Sequence, residues 1–244
     1  MITEVQRWRG APEEQAQRAQ IRKLGQFAYF DRQLGHPDWR GKRVLDFGGS
    51  DGNLLWNPDC AILHENYYCV DVVRDAIAEG SKAFPRAHWI HYDRYNCSFN
   101  PLGVVNLPIP DIGVMPDIIL AYSVFTHTTR EEMHDLVSQL TTRLAPDGIL
   151  AFTFEDPFLN LEARLEPAAD ARSILDRGLS AEWCALVDGR VLFVNDSGRW
   201  SDEAKRCMTY DVYYTAEQMG REFPGAAVHP PVNGESQHCC VIRK

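Results

Sequence analysis

The stretch VLDFGGSDGNLL, residues 44–55, constrains the fold more than any other part of the chain. In it an apolar run ends in an acid and a cluster of glycines, and a second apolar run follows directly. This pattern predicts a buried strand, a tight loop and the start of a helix. That combination is the part of an α/β fold that receives nucleotides.

Strand-like and helix-like segments alternate after this stretch. Five strands are predicted from runs of apolar and aromatic residues, at 43–47, 67–71, 88–93, 117–124 and 149–154. Helical patterns follow several of them, and the clearest begins where Thr128 and Glu131 have capping-box spacing. The alternation predicts an α/β fold with a doubly wound, mostly parallel sheet.

The C-terminal part closes this sheet in a different way. After a helical segment at 215–223, two further strands are predicted at 226–230 and 237–244. The segment between them, 231–236, is too short for a parallel crossover, so the last strand must run antiparallel to its neighbour. The predicted sheet therefore has seven strands and ends in an antiparallel hairpin.

Two regions fall outside the regular alternation. Residues 1–40 are predicted to form an N-terminal helical arm or lid, and residues 41–244 the main domain. An insertion at about 157–211 separates strands five and six. It is predicted to hold a helix and a β-hairpin around Asp188 and Gly189, since that dipeptide accepts the positive φ angles of a tight turn.

Charge and cysteine usage exclude several classes of function. The net charge of −9 argues against nucleic-acid binding, because proteins that neutralise phosphates carry basic faces. None of the seven cysteines has C-x-x-C spacing, and we interpret them as buried thiols in a reducing compartment. No signal region or bilayer-length apolar run is found, which predicts a cytoplasmic protein without a membrane segment. No acid and histidine cluster has ligand spacing, so no metal is predicted.

The glycine-rich loop does not match the dinucleotide template. That template requires G-x-G-x-x-G, and Ser50 and Asn53 stand where it demands glycine. The residues fit acid-x-Gly-x-x-x-Gly instead, with Asp46, Gly48 and Gly52. The loop thus lacks the fingerprint of a dinucleotide site.

This motif resembles the first motif of class I S-adenosylmethionine-dependent methyltransferases. The resemblance extends in order through Asp71, the pair Tyr92-Asp93, AYSVFTH at 121–127 and the closing strands. It implies a Rossmann-like fold and S-adenosylmethionine as the cofactor, with S-adenosylhomocysteine as the product. The family most often has glycine where this chain has Ser50, and a serine fits there if its φ stays negative.

The resemblance assigns roles to the loop residues. Backbone of Gly48, Gly49, Ser50 and Gly52 would approach the cofactor closely, since glycine leaves room for it. Asp46 would orient the loop or accept a hydrogen bond from the methionine ammonium group.

Residues at the ends of strands two and three are assigned to the adenosine. Asp71 would bind the ribose hydroxyls, with Val72 beside it, and could also cap the helix that follows. Tyr92 and Asp93 would contact the adenine, the first by its ring and the second by its carboxylate. Alternatively, Asp93 is a surface acid and Tyr92 a core residue.

Residues after strands four and five are assigned to the reacting end of the site. Tyr122 and Ser123 would line the methionine moiety, although Tyr122 could equally be core. His127 precedes a helix N-terminus, which disfavours imidazolium, so it is our candidate general base, or else it only orders the loop. Glu155 and Asp156 would bind or deprotonate the substrate, or cap a turn.

The implied activity is methyl transfer to an O or N nucleophile of a small molecule, in specialised natural-product metabolism. Methylation of a protein or tRNA is an alternative, for which a basic patch is available in Arg7, Arg9, Arg18, Arg22 and Lys23. A further alternative is a protein that binds the cofactor without methylating anything. A homodimer formed through the arm or the insertion is also predicted.

Overall fold

A computed structural model of the protein describes residues 24–96, 99–156, 191–194, 210–232 and 235–244. The strands are β1 Val44–Phe47, β2 Tyr67–Asp71, β3 His88–His91, β4 Ile118–Ala121, β5 Ile149–Glu155, β6 Val191–Val194, β7 Tyr210–Tyr213, β8 Ala227–His229 and β9 Gln237–Arg243. The helices are α1 at 24–33, α2 Arg74–Ala83, α3 Arg130–Arg143 and α4 Ala216–Glu222. Short 3₁₀ helices occur at Trp39–Gly41, His64–Asn66 and Phe125–His127.

The main sheet has the strand order β3-β2-β1-β4-β5, with all neighbours parallel. β9 then pairs antiparallel with β5 along its whole length, and β8 pairs antiparallel with β9. These seven strands confirm the predicted doubly wound sheet and its antiparallel closing hairpin. The chain reverses its direction of winding between β1 and β4, which is where ligands bind in open α/β sheets.

The insertion adds two strands to this sheet. β6 and β7 pair antiparallel, and β7 joins β5 through the single parallel pair Glu155 and Tyr213. This partner of β6 was not predicted from the sequence. The predicted turn at 188–189 and the predicted helix of the insertion lie outside the described residues.

Both faces of the sheet are buried, which explains why its strands are continuous apolar runs. On one face, α3 and α4 cover a cluster that includes Leu45, Ile119 and Phe152. On the other face, α1, α2 and the segment after the glycine-rich loop cover a second cluster. Alternate residues of β1, β2, β4 and β5 thus enter different cores, as the period of two requires.

Two local expectations are wrong. The capping box of α3 is formed by Thr129 and Glu132 rather than by Thr128 and Glu131. Both pairs have the required spacing, but Thr128 Oγ1 donates to Phe125 O and closes the preceding 3₁₀ turn. The helix expected after the glycine-rich loop is replaced by successive turns over 50–59. The positive φ of Gly52 interrupts helical geometry there.

Helix α1 joins the body of the domain rather than standing apart from it. Phe27, Tyr29 and Phe30 are buried in the core, and the Tyr29 hydroxyl donates to the backbone oxygen of Gln237, 2.9 Å away. Gln33 Nε2 donates to Pro230 O, so α1 is anchored to the closing hairpin at two points. Residues 1–23 of the predicted arm, which hold the five residues of the basic patch, lie outside the described part of the chain.

The described residues also bear on the expectations from cysteines and hydropathy. Cys69, Cys239 and Cys240 are buried free thiols, and Cys60 is a half-buried one. Over the same residues, none of the helices combines the length and the apolar character that crossing a bilayer requires.

Candidate functional site

A cavity of about 570 Å³ opens at the carboxyl ends of β1, β2 and β4. Its position is the switch point of the sheet, and its volume lies within the range of small-molecule pockets, about 300–1,000 Å³. The wall is formed by residues Gln26, Phe47, Gly48, Ser50, Asp51, Asn53, Val70, Asp71, Val72, Val73, Tyr92, Arg94, Tyr95, Asn96, Phe99, Tyr122, Ser123, Val124, His127, Thr128, Glu132 and Leu136.

The glycine-rich loop forms the floor of this cavity. Gly48 has φ 78°, its N–H donates to Val70 O at 2.7 Å, and a Cβ added to it would collide with the Val124 side chain. Only glycine fits there. Ser50 has φ 55°, so the negative φ on which the fit of a serine was made conditional is not found. Its N–H donates to Asp71 Oδ2 at 2.7 Å, and this bond holds the left-handed conformation, which costs a non-glycine residue about 1–2 kcal/mol.

Asp71 stands at the end of β2 on the cavity wall. Besides the bond from Ser50, its Oδ1 accepts from the N–H of Val73, 2.7 Å away, at the start of α2. Val73 is itself the N-cap of α2 and no side chain caps this helix, so the predicted capping role of Asp71 is wrong. Its side chain lies on the cavity wall instead. Burial raises the pKa of Asp71, whereas the backbone donors that favour its carboxylate act in the opposite direction.

Asp46 lies behind the loop rather than on the cavity wall. Its carboxyl group contacts Gly49, and its Oδ2 accepts from the Tyr67 hydroxyl at 2.6 Å. Burial raises its pKa to about 7, the Tyr67 hydrogen bond lowers it, and the negative charge of Asp71 adds to the rise. Of the two sequence interpretations, this placement favours orientation of the loop.

The end of β3 presents a different set of groups from the one expected. Tyr92 lines the cavity, and its hydroxyl donates to Leu107 O. Asp93 is exposed away from the wall and accepts from Asn100 Nδ2 at 3.1 Å. In its place, the buried Arg94 contributes to the wall and donates to Leu107 O at 2.9 Å and to Asp135 Oδ2 at 3.2 Å.

The turn after β4 supplies Tyr122 and Ser123 to the cavity wall. Tyr122 packs edge-on against Tyr29 and Phe30 of α1, and its hydroxyl donates to Glu235 Oε2 at 2.7 Å. Ser123 has φ 56°, and its N–H donates to Thr153 Oγ1 at 2.7 Å.

His127 also lies on the wall, as the last residue of a 3₁₀ helix. Its ring meets Phe99 edge-on with a centroid distance of 5.2 Å, and its backbone oxygen accepts from Asn96 Nδ2. Glu155 and Asp156 are buried at the end of β5 and do not line the cavity. The structure thus brings His127 together with seven of the eleven residues assigned to the cofactor and separates the two acids from them. The four assigned residues that do not line the cavity are Asp46, Gly49, Gly52 and Asp93.

Several wall residues carry no sequence signal that would have identified them. Gln26 comes from α1, and Asn96 and Phe99 come from the long polar loop after β3. Glu132 had a signal of another kind, because it belongs to the capping box of α3. Among the described residues, no group of three histidine, cysteine or acidic side chains could hold a metal ion.

Comparison with known proteins identifies the fold. No protein-family model and no curated protein sequence matches the chain. Among solved structures, it is similar to an S-adenosylmethionine-dependent methyltransferase from Clostridium acetobutylicum, with 10% identity, 91% of each chain covered and a TM-score of 0.55. A second such enzyme, from Mesorhizobium loti, has 15% identity and a TM-score of 0.52 over 87% of this chain and 95% of that one.

A third neighbour is the glycopeptide N-methyltransferase MtfA, solved in complex with S-adenosylmethionine. It has 12% identity and a TM-score of 0.54, with 90% of this chain and 92% of that chain covered. The chain therefore has the fold of class I S-adenosylmethionine-dependent methyltransferases, as the resemblance of its sequence implied.

Proposed function

We propose that the protein is a methyltransferase that uses S-adenosylmethionine to methylate an O or N nucleophile of a small molecule. The observation that carries this proposal is the placement of Asp71. Its carboxyl group lines the cavity at the switch point and at the same time fixes the glycine-rich loop through Ser50. The fold and the loop motif support the same choice of cofactor.

The residues of the wall fit this cofactor. A carboxylate has about four lone-pair sites, and the two backbone N–H groups that bind Asp71 leave acceptors for the two ribose hydroxyls. Gly48 and Ser50 offer backbone at the methionine end, and Tyr92 and Val72 offer apolar surface for the adenosine. The exposed Asp93 has no part in this assignment, and Arg94 and Asn96 supply the polar groups at that end.

When bound, S-adenosylmethionine supplies an activated methyl group on a sulfonium whose leaving group is a neutral thioether. The wall then has to hold the nucleophile in line with the bond that breaks, which can account for about 7–11 kcal/mol of the barrier. We assign proton removal to His127, which would add about 10²–10⁴-fold. The alternative role of His127, ordering of the loop, is supported by its contacts with Asn96 and Phe99.

Specialised metabolism remains our proposal for the biological setting. It is supported by the small-molecule size of the cavity and by the glycopeptide N-methyltransferase among the structural neighbours. The free cysteines of the described part fit a reducing cytoplasm. We also propose that the protein forms a homodimer through the arm at 1–40 or the insertion at 157–211, and that the insertion contacts the methyl acceptor.

Calorimetry with S-adenosylmethionine and S-adenosylhomocysteine tests the proposal. We expect the wild type to bind both and Asp71→Ala to bind about 10- to 100-fold more weakly, since hydrogen bonds to charged groups contribute about 1.5–3 kcal/mol. Asp93→Ala is the matched control and should bind as the wild type does. A wild type that binds neither compound contradicts the proposal, and normal binding by Asp71→Ala removes the ribose assignment.

The acceptor is to be found by a metabolite screen that measures formation of S-adenosylhomocysteine. With that acceptor, His127→Ala should lower turnover by about 10²–10⁴-fold while cofactor affinity stays nearly unchanged. An unchanged rate would make His127 a structural residue. Product formation only with bulk tRNA or protein would contradict the small-molecule acceptor, and none with any acceptor would contradict methyl transfer.

A further inference from the structure

The turn after β4 is held in a conformation that its sequence does not favour. Ser123 lines the cavity with φ 56°, in the left-handed region where serine is uncommon. The next residue, Val124, lies so close to Gly48 that no side chain fits between them. A change at Ser123 would therefore move the cavity wall and the glycine-rich loop together, and something outside the turn must hold it.

Besides the bond from Thr126 Oγ1 to Ser123 O within the turn, a ring of hydrogen bonds with buried Thr153 and Gln237 provides that hold. Thr153 Oγ1 accepts from the N–H of Ser123 at 2.7 Å and donates to Gln237 Oε1. Gln237 Nε2 in turn donates to Ser123 Oγ at 3.0 Å, which completes the ring. Thr153 and Gln237 are fully buried, with 0% of their surface exposed. Because water does not reach Thr153 or Gln237, loss of either side chain leaves a polar group of the other unsatisfied.

Gln237 connects this ring to two other groups, Glu155 of β5 and Tyr29 of α1. It opposes Glu155 across the β5–β9 pair, and its Nε2 also donates to Glu155 Oε1 at 3.4 Å. Its backbone oxygen accepts from the Tyr29 hydroxyl of α1 at 2.9 Å. An amide suits this point because it accepts from Thr153 on one side and donates to Ser123 and Glu155 on the other. Neither a carboxylate nor an apolar side chain does both.

We propose that Gln237 is a positioning residue that holds the Ser123 turn in its left-handed conformation. Through this turn it sets the wall against which the methionine end of the cofactor lies. The second part rests on the function proposed above, whereas the first concerns the protein without ligand. Gln237 does not line the cavity, so it acts through Ser123.

Amide hydrogen exchange of the ligand-free protein tests the first part. The Ser123 N–H should be protected in the wild type, and in Gln237→Met its exchange should be faster by about tenfold or more relative to the core strands. Thr153→Val keeps the shape of the side chain and removes the acceptor, so it serves if Gln237→Met does not fold. Gln139→Met is the matched control, because Gln139 makes its hydrogen bonds with Asp135 and Ile109 away from the cavity.

Calorimetry with S-adenosylhomocysteine tests the second part. Gln237→Met should bind about 10- to 100-fold more weakly, whereas Gln139→Met should bind normally. In a Ser123→Gly background the same Gln237→Met change should cost less than about threefold, because glycine adopts a positive φ without support. If Gln237 served only in core packing, Gln237→Met would weaken the binding of S-adenosylhomocysteine equally in the wild-type and the Ser123→Gly proteins.

The outcomes separate this inference from the proposed function. If the Ser123 N–H is protected from exchange in the wild type and Gln237→Met removes this protection, the positioning role is supported. This holds even if the wild type binds no S-adenosylhomocysteine, because that result overturns only the proposed function. Unchanged relative exchange at Ser123 in Gln237→Met and Thr153→Val overturns the inference. Additive losses of affinity in the Ser123→Gly cycle overturn it as well.

Discussion

At the scale of single residues, the strain in this molecule is concentrated around its cavity. Ser50 and Ser123 both line the cavity and both have a positive φ. Each is held by one hydrogen bond from its own N–H to a buried side chain, Asp71 in one case and Thr153 in the other. Strain of this kind persists only where surrounding contacts determine the conformation, and it clusters at ligand sites. The two turns are therefore rigid parts of the site.

Gly52 allows the effect of steric contact to be separated from that of backbone strain. It has φ 90°, and a Cβ there would lie 2.8 Å from Trp89 Cη2, whereas Gly113 has φ 75° with no neighbour that a Cβ would meet. We expect Gly52→Ala to lower the free energy of unfolding by about 2–5 kcal/mol, from strain plus overpacking. Gly113→Ala should lower it by about 1–2 kcal/mol, from strain alone. Urea denaturation measures both, and equal losses would contradict the role of Trp89.

Asp46 gives the stability of the fold a dependence on pH. Burial raises its pKa from 3.8 to about 7. Between these values the folded protein binds a proton that the unfolded chain has released, so the free energy of unfolding falls as pH rises through this window. The fall is at most about 4 kcal/mol, and it is complete above pH 7.

Asp46→Asn isolates this contribution, because asparagine does not titrate and all other groups are shared with the wild type. We expect the variant to gain stability relative to the wild type as the pH is raised from 5 to 8, measured by urea denaturation at each pH. The asparagine oxygen can still accept from the Tyr67 hydroxyl, so the comparison keeps that contact. A stability difference independent of pH would show that Asp46 does not carry the dependence.

At the scale of elements, the sequence predicted what local patterns determine and missed what distant contacts determine. The strands of the main sheet were predictable because both faces are buried and each strand is an apolar run. The residues at their ends, such as Asp71 and Tyr122, followed from that. The pairing of β6 with β7 was not predictable, because 195–209 separates the two strands and no local signal selects the partner. Gln26 and Gln237 were missed because a single glutamine in a helix or strand has no distinctive spacing.

Helix α1 provides a prediction that separates binding from stability. Gln26 is only 6% exposed and lines the cavity, and its side-chain amide makes no hydrogen bond within the described part of the chain. We therefore expect Gln26→Leu to weaken binding of S-adenosylhomocysteine by about tenfold, with little loss of stability, because no hydrogen bond within the protein is removed.

Gln33→Leu on the same helix is the matched control. Gln33 is buried and donates to Pro230 O at 2.8 Å, so its replacement should lower the free energy of unfolding by about 1–3 kcal/mol and leave affinity within about threefold. Calorimetry and urea denaturation measure the two effects. If Gln26→Leu bound normally, the amide would not contact the ligand.

At the scale of the whole molecule, the cavity joins parts of the chain that are far apart in sequence. Its wall draws on α1, the ends of four parallel strands or the loops after them, and the first turns of α3. The closing hairpin supports it from behind, through Gln237 and Glu235. A ligand that bridges these parts binds only the folded state, since the unfolded chain does not bring them together.

Binding should therefore stabilise the whole domain by mass action. At a free concentration 100 times its dissociation constant, S-adenosylhomocysteine should add about 2.7 kcal/mol to the free energy of unfolding. For a chain of 244 residues this corresponds to a rise in Tm of about 5–11 °C. Thermal unfolding monitored by circular dichroism measures the shift. A metal chelator should not reduce it, and NADH at the same concentration should produce none. A shift with NADH, or its loss on adding the chelator, would contradict the assignment of the cavity.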